Sequence, residues 1–391
     1  MDWNNKTAAN VKAIKPSGIR KFFDIAAQVK GVLSLSIGEP DFAAPDKVLA
    51  AMKASLDAKE TSYTGNSGMM ELREAISHHF EKRYGVHYDP KDEILVTVGV
   101  SEGLAMALLA ITEPGDEVII PDPAYVAYPA SVELAGGTPV FVPTYPEHDF
   151  KLTVEALEKV ITPKTKAIVI GYPNNPTGTV MSAEELMPIA KFAEEHDLIV
   201  LSDEIYCELM YGDAKFTSFA KLPGMRERTV IFNGFSKAYA MTGMRLGYVC
   251  APREGLAPIL KLHQYAIMCA NTTAQVGGIT ALKECDDDVE AMRQEYDRRR
   301  KVIYKGLCDM GLPVFEPKGA FYIFPDIRCT GMTSAEFCEK LVQEEKVAVV
   351  PGTAFGDQGE GFVRISYAAS MDTIQEALKR MARFVEKYRS C

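Results

Sequence analysis

A lysine and an arginine stand eight residues apart in this chain, at Lys237 and Arg245. The segment opens Asn233-Gly234-Phe235-Ser236-Lys237 and runs through small residues and a glycine to Gly247, directly after an apolar strand-like run. A lysine that attacks a carbonyl needs a setting that lowers its pKa or pairs it with a bound anion. Standing alone, a loop lysine is ordinarily a solvated surface residue. A second segment, Gly171-Tyr172-Pro173-Asn174-Asn175-Pro176-Thr177-Gly178, also follows a strand-like run. Its Asn-Pro and Gly are strong turn formers, so a plain strand-to-helix turn explains it equally well. A third, Ser202-Asp203-Glu204-Ile205-Tyr206, ends an apolar strand. Ligands of open α/β sheets bind at such carboxyl ends, which places an acid usefully. At the fourth, Gly99-Val100-Ser101-Glu102-Gly103, a strand gives way to a helix. Free backbone N–H groups and the positive end of the helix dipole suit a phosphate there, although a serine N-cap also fits. No Gly-x-Gly-x-x-Gly and no Gly-Lys pair is present, which excludes a P-loop.

These loops need a sheet to hold them. Strand-like runs are expected at Ile94–Val98, Glu117–Pro121, Thr138–Val142, Ala167–Gly171, Leu198–Ser202, Val230–Asn233 and Leu246–Ala251. Helical periodicity is expected at Glu102–Ile111, Val126–Leu134, Val154–Val160 and Ala183–His196. Short apolar strands alternating with helices indicate an α/β fold with a mostly parallel sheet. Thr153 and Ser182 are placed as helix caps, and Ser182 with Glu185 has capping-box spacing. The last third reads as a smaller α+β domain. It has a long helix from about Asp286 to Met310, strands at Phe321–Pro325, Val347–Val350 and Phe362–Tyr367, and helices near Ser334–Glu345 and Asp372–Tyr388. The expected division is an N-terminal arm over 1–45 packing on the small domain, a large domain over 46–284 and the small domain over 285–391.

A length of 391 residues suits two domains, with 47% hydrophobic and 25% charged residues, as in ordinary globular proteins. The net charge is −10 and the basic residues are dispersed, so no nucleic-acid footprint is visible. The eight cysteines are scattered, without Cys-x-x-Cys or zinc-ligand spacing, so no metal site is expected and reduced thiols are. Met1 to Pro16 is polar, and the longest apolar run, Leu104 to Ile111, is far short of a membrane span. A cytoplasmic protein that contacts neither membrane nor nucleic acid is the expectation.

Taken together, the four loops resemble the class I/II aminotransferases of the fold-type I pyridoxal-phosphate enzymes, in the aspartate/aromatic subgroup. The resemblance spans essentially the whole chain, from Ile37-Gly38-Glu39-Pro40-Asp41-Phe42 to Val363-Arg364-Ile365-Ser366. It implies pyridoxal 5'-phosphate held as a Schiff base on Lys237, which then carries the proton during amino-group transfer by a ping-pong mechanism. It implies that Asp203 pairs with the ring nitrogen, that Asn175 and Tyr206 bond the phenolate oxygen, and that Tyr125 stacks on the ring. Phosphate contacts are implied for Ser236, Arg245 and the helix start at Ser101, Glu102 and Gly103. Gly234 stands where some relatives carry a serine, which removes one hydroxyl contact. Arg364 is implied as the fork for the substrate's α-carboxylate, helped by Asn175 and the backbone of Gly38. Tyr63 matches a tyrosine contributed by the neighbouring subunit, which implies a homodimer with shared active sites. Ile19, with Arg20, matches a segment that covers substrate. The apolar Ile19 and the segment His263 to Cys269 favour an aromatic amino acid or aspartate as donor and a 2-oxo acid such as 2-oxoglutarate as acceptor. Two alternatives stay open: a carbon–sulfur β-lyase or related synthase on the same scaffold, and a transcription regulator, which would need a DNA-binding domain that the first 45 residues do not supply.

Overall fold

Apolar runs of four to six residues build the central sheet of the computed structural model, which describes residues 1–14, 18 and 29–389. Ile19 and Arg20 lie outside the described residues. After a short β1 (Leu33–Ser34) come β2 (Ile94–Thr97), β3 (Glu117–Asp122), β4 (Thr138–Pro143), β5 (Thr165–Ile170), β6 (Ile199–Asp203), β7 (Thr229–Gly234) and β8 (Gly247–Cys250). The last seven form one sheet in the order β2-β8-β7-β6-β5-β3-β4. Only β8 runs against its neighbours; the other four pairings are parallel. A parallel sheet needs both faces covered, and the alternation along β3 shows how. Val118 and Ile120 join Leu104, Leu108 and Val132 on one face. Ile119 joins Ile168, Leu186, Ile189 and Phe192 on the other. Each such side chain, fully buried, contributes roughly 1.5–3 kcal/mol.

The expected capping holds. Thr153 accepts from Ala156 N, and Ser182 with Glu185 closes a capping box. The helix expected over Val154–Val160 is only Val154–Leu157, because Val160 and Ile161 leave the helix before Pro163, which disfavours helical backbone at the residue preceding it. Besides the short Ala9–Ala13, further helices form among the described residues at Asp46–Asp57, Met70–Tyr84, Arg253–Ala266 and Thr272–Glu284. Their sequence signals are weak for identifiable reasons. Met70–Tyr84 is dense in charge, Pro258 interrupts the third, and Gly277 and Gly278 interrupt the fourth. Tertiary packing overrides those local costs, as at Gly277, where an added Cβ would lie 2.9 Å from Met52.

In the last third, β9 (Tyr322–Ile323), β11 (Val350–Pro351) and β12 (Val363–Ser366) form an antiparallel sheet in the order β11-β12-β9. The single strand expected over Val347–Val350 divides, because β10 (Val347–Ala348) turns instead to pair in parallel with β1. Leu35, beside β1, is buried in the core of this region with Ile323, Val347 and Ile365. The helix Met371–Tyr388 presents Ile374, Ala377, Met381, Phe384 and Val385 inward, the spacing of one amphipathic face. Among the described residues no helix is long and apolar enough to cross a membrane, and the seven described cysteines are free thiols.

The seven-stranded sheet is stitched, where β3 ends, to the loop that joins β11 and β12 of the three-stranded one. Asp122 accepts from Asp357 N at 3.1 Å and from Gln358 N at 3.4 Å, and Ala124 N donates to Phe355 O at 2.9 Å. Gly356 makes this approach possible: its φ is 138°, and an added Cβ would fall 1.8 Å from Asp122 Oδ1. Gly356→Ala is therefore expected to lower stability by about 1–3 kcal/mol from backbone strain alone, and further through the lost stitch. Gly212→Ala, at φ 66° with nothing within 4 Å, should cost less. Urea denaturation midpoints at unchanged slope measure the difference; equal losses in the two variants would refute the steric account.

Candidate active site

Strand ends and one helix start converge on a cavity of about 450 Å³. Its wall includes Gly38, Ser101, Tyr125, Asn175, Asp203, Tyr206, Ser236, Lys237, Arg245 and Arg364. Ten of the residues singled out in the sequence thus meet in one place. Lys237 follows β7, and its Nζ donates to Gly38 O at 2.7 Å. Burial first, and then the Arg364 and Arg245 guanidinium groups, lower its pKa to about 8. Asp203 ends β6 and is 8% exposed. Its Oδ1 accepts from Ile205 N at 3.2 Å and its Oδ2 from the Tyr128 hydroxyl at 2.8 Å. Burial pushes its carboxyl up, while those two donors and Lys237 pull it back.

Arg364, on β12, brings its charge to the opposite wall. Its Nη1 donates to Asn175 Oδ1 at 2.9 Å and its Nη2 to Ser36 O at 2.7 Å. The guanidinium carbon lies 4.4 Å from the ring centroid of Tyr322 and 4.7 Å from that of Phe355. Asn174, not Asn175, makes the turn, accepting from Thr177 N and Oγ1. Tyr206 and Tyr322 share a 2.8 Å hydroxyl pair. Arg245 is set down by its own left-handed backbone, φ 51°, and donates to Thr242 O at 3.1 Å. Its guanidinium lies against Gly99, the first residue of the helix Gly99–Ile111. Gly99 has φ 75°, and a Cβ there would lie 2.7 Å from Arg245 Nη2. This bare backbone lets a cation and a helix N-terminus face the same space.

Three expected residues fall outside the wall. The Glu102 carboxylate accepts from Val98 N at 2.9 Å and lies 2.9 Å from His263 Nδ1. Gly103 packs on β8, where an added Cβ would meet Val249 at 2.6 Å. Of that helix start, Val100 and Ser101 reach the cavity. Tyr63 is 80% exposed and lies in a surface groove with Thr64, Met70 and Thr272, so within one chain it does not meet the cavity. Ile19 lies outside the described residues. Conversely, Glu39, Tyr128, Thr242 and Tyr322 line the wall without having been singled out. Tyr128 had a readable signal, since it stands three residues after Tyr125, in the first turn of the helix expected over Val126–Leu134.

The donor set fits a phosphorylated pyridine aldehyde. A buried amine awaits a carbonyl, a buried carboxylate awaits a ring cation, and an arginine beside a helix start awaits a phosphate. Arg364 Nε is buried and has no hydrogen-bond acceptor among the described residues, which leaves donor capacity for a carboxylate. On a mostly parallel sheet, this layout defines a fold-type I pyridoxal-phosphate enzyme. The chain matches the family described as Aminotransferase class I and II over residues 30–381. It is 53% identical over 377 residues to the putative aminotransferase YugH of Bacillus subtilis (strain 168), covering 96% of this chain and 97% of that one. It is 50% identical over 376 residues to an aspartate aminotransferase of Pyrococcus abyssi, covering 96% and 97%. The solved aromatic aminotransferase from Pyrococcus horikoshii OT3 superposes with a TM-score of 0.90 at 49% identity, covering 94% of this chain and 99% of that one. The chain belongs to the class I and II aminotransferases, and its cofactor is pyridoxal phosphate.

The lowered pKa of Lys237 can be measured directly. In the cofactor-free protein, reductive alkylation of Lys237 by a small aldehyde should rise with pH through a midpoint of about 8, since the free base is the reactive form. Peptide mapping reads the site. A midpoint near the ordinary 10.5 would contradict the burial described here.

Proposed function

We propose that this aminotransferase moves an amino group from an aromatic amino acid or aspartate to 2-oxoglutarate or a similar 2-oxo acid, with Lys237 as its catalytic residue. The observation that carries this reading is the shared cavity of the Lys237 amine, the Asp203 carboxylate and the Arg364 fork. When bound, pyridoxal phosphate supplies an electron sink for the substrate's α-carbon. Lys237 Nζ, uncharged in an appreciable fraction near neutral pH, takes the α-proton and later returns it. Asp203 keeps a proton on the ring nitrogen, and Tyr206 and Asn175 donate to the phenolate oxygen. Tyr125 stacks on the ring. Ser101, Ser236, Arg245 and the backbone of the helix start at Val100 and Ser101, the two of its residues that reach the cavity, hold the phosphate. Arg364, with Asn175 and Gly38, binds the α-carboxylate that both substrates share.

The donor class draws support from the names of the Pyrococcus relatives, one aspartate and one aromatic. It also draws support from the aromatic and apolar wall of Tyr125, Tyr322, Pro173 and Ile205. We assign residues 46–284 to the cofactor-binding domain and 285–391 to the small domain, with 1–45 as an arm upon it. Two copies complete each site, Tyr63 of one reaching the phosphate of the other; the exposure of Tyr63 and of Tyr265, 90% exposed, supports that face as the contact.

Single-turnover spectra of the holoenzyme with tyrosine, phenylalanine, aspartate and alanine test the donor class. The first three should convert the cofactor fastest, and a clear preference for alanine would overturn the assignment. Arg364→Ala should lower kcat/KM roughly a hundred- to a thousandfold, mostly through KM, because it removes two charge-assisted hydrogen bonds to the carboxylate. A change of less than about tenfold would assign the α-carboxylate elsewhere.

A further inference from the structure

Asp203 does not stand alone behind the ring site. The Tyr128 hydroxyl donates to its Oδ2 at 2.8 Å, across 75 residues of sequence. Tyr128 sits on the helix Ala127–Leu134 and is 5% exposed. Its ring meets Tyr125 edge-on, with centroids 5.6 Å apart and planes at 83°. The hydroxyl is confined on its other side as well. A Cβ on Gly171, just past the end of β5, would lie 2.8 Å from it. The phenol therefore fits between a bare Cα and a carboxylate. Burial and the neighbouring Asp203 push the Tyr128 phenol well above its ordinary range, so it stays a donor throughout the working pH range.

We propose that Tyr128 is a positioning residue for the reaction: its hydroxyl occupies one oxygen of Asp203, sets the plane of that carboxylate, and fixes where the proton shared with the cofactor's ring nitrogen resides. The inference rests on the proposed pairing of Asp203 with that nitrogen. The physical argument is a competition for one proton. A donor to the carboxylate spreads its negative charge and makes it a weaker base. With the Tyr128 bond in place, the proton stays on the ring nitrogen. With it removed, Oδ2 regains basicity in a buried site and draws the proton across, leaving the nitrogen neutral. No atom leaves the site, and the total charge of the pair is unchanged.

Ring-15N-labelled pyridoxal phosphate, bound to the holoenzyme and followed by NMR, reads the proton's position directly. Tyr128→Phe keeps the ring and its contact with Tyr125 and deletes only the oxygen. It should move the nitrogen signal from the protonated toward the neutral position and lower kcat/KM roughly ten- to a hundredfold. Gly171→Ala retains the phenol but crowds the oxygen, and should move the signal the same way. Asp203→Asn is the control for the pairing itself. If Asp203→Asn shifts the signal while Tyr128→Phe and Gly171→Ala leave it where it is, Tyr128 is only a packing residue and the proposal is overturned. If Asp203→Asn also leaves it unmoved, the pairing of Asp203 with the ring has failed, and the proposal with it. A lower rate with an unmoved signal counts against the proposal, since lost packing alone would produce it.

Discussion

Lys237, Asp203 and Arg364 bring charges of both signs to one cavity, and each is tolerated there only because neighbours replace the water it has lost. Burial pushes the Asp203 carboxyl up and the Lys237 and Arg364 cations down, so every one of these groups is shifted against its charged form. The compensation is local and specific. Asp203 has Tyr128 and Ile205 N; Arg364 has Asn175, Ser36 O and two aromatic faces; Lys237 has Gly38 O. Such a set of half-compensated charges is what a ligand bearing a phosphate, a ring nitrogen and a carboxylate completes. The same shifts leave the amine partly uncharged near neutral pH, which is the state a nucleophile needs.

The fold supplies these partners because β5, β6 and β7 end side by side. Parallel neighbours end at the same edge, so residues 171, 203 and 234 reach one rim despite lying far apart in sequence. The antiparallel β8 begins at that same rim, which brings Arg245, two residues before it, back beside Gly99. Arg364 and Gly38 arrive from the other sheet system, since β12 and the segment after β1 pair there. The stitch from Asp122 and Ala124 to residues 355–358 therefore has a consequence for chemistry. It ties the loop bearing Tyr125 to the loop whose Phe355 packs on Arg364.

Much of this was legible in the chain, and the limit has a physical form. Lys237, Asp203, Asn175 and Arg245 were readable because each closes, follows or directly precedes an apolar run, so local pattern alone puts them at a strand end. The strands were readable for the same reason. The partners of Tyr128 and Tyr322, and the pairing of Glu102 with His263, were not, because each joins residues remote in sequence. Tyr128 bonds Asp203, Tyr322 bonds Tyr206, and the Glu102 carboxylate is taken by Val98 N and by His263 on a distant helix. The helices Arg253–Ala266 and Thr272–Glu284 were obscured by Pro258 and by paired glycines that make sense only against their neighbours.

An enzyme that takes two substrates in turn must hold what they share and leave free what differs. On the proposed function the shared group is an α-carboxylate, and the surroundings of Arg364 suit it to be held identically each time. The guanidinium packs against the rings of Tyr322 and Phe355, with one nitrogen on Asn175 and another on a backbone carbonyl. A planar cation packed against two rings and hydrogen-bonded at two nitrogens has little freedom to follow a changing side chain. Tyr322 joins this clamp to the ring site, since its hydroxyl also meets Tyr206. On the proposed roles, carboxylate and cofactor are thus anchored to one rigid aromatic and hydrogen-bonded unit. Discrimination between donors must then arise from surfaces beyond that unit. It follows that substitutions which change donor preference should spare this clamp, whereas substitutions within the clamp should impair all donors alike.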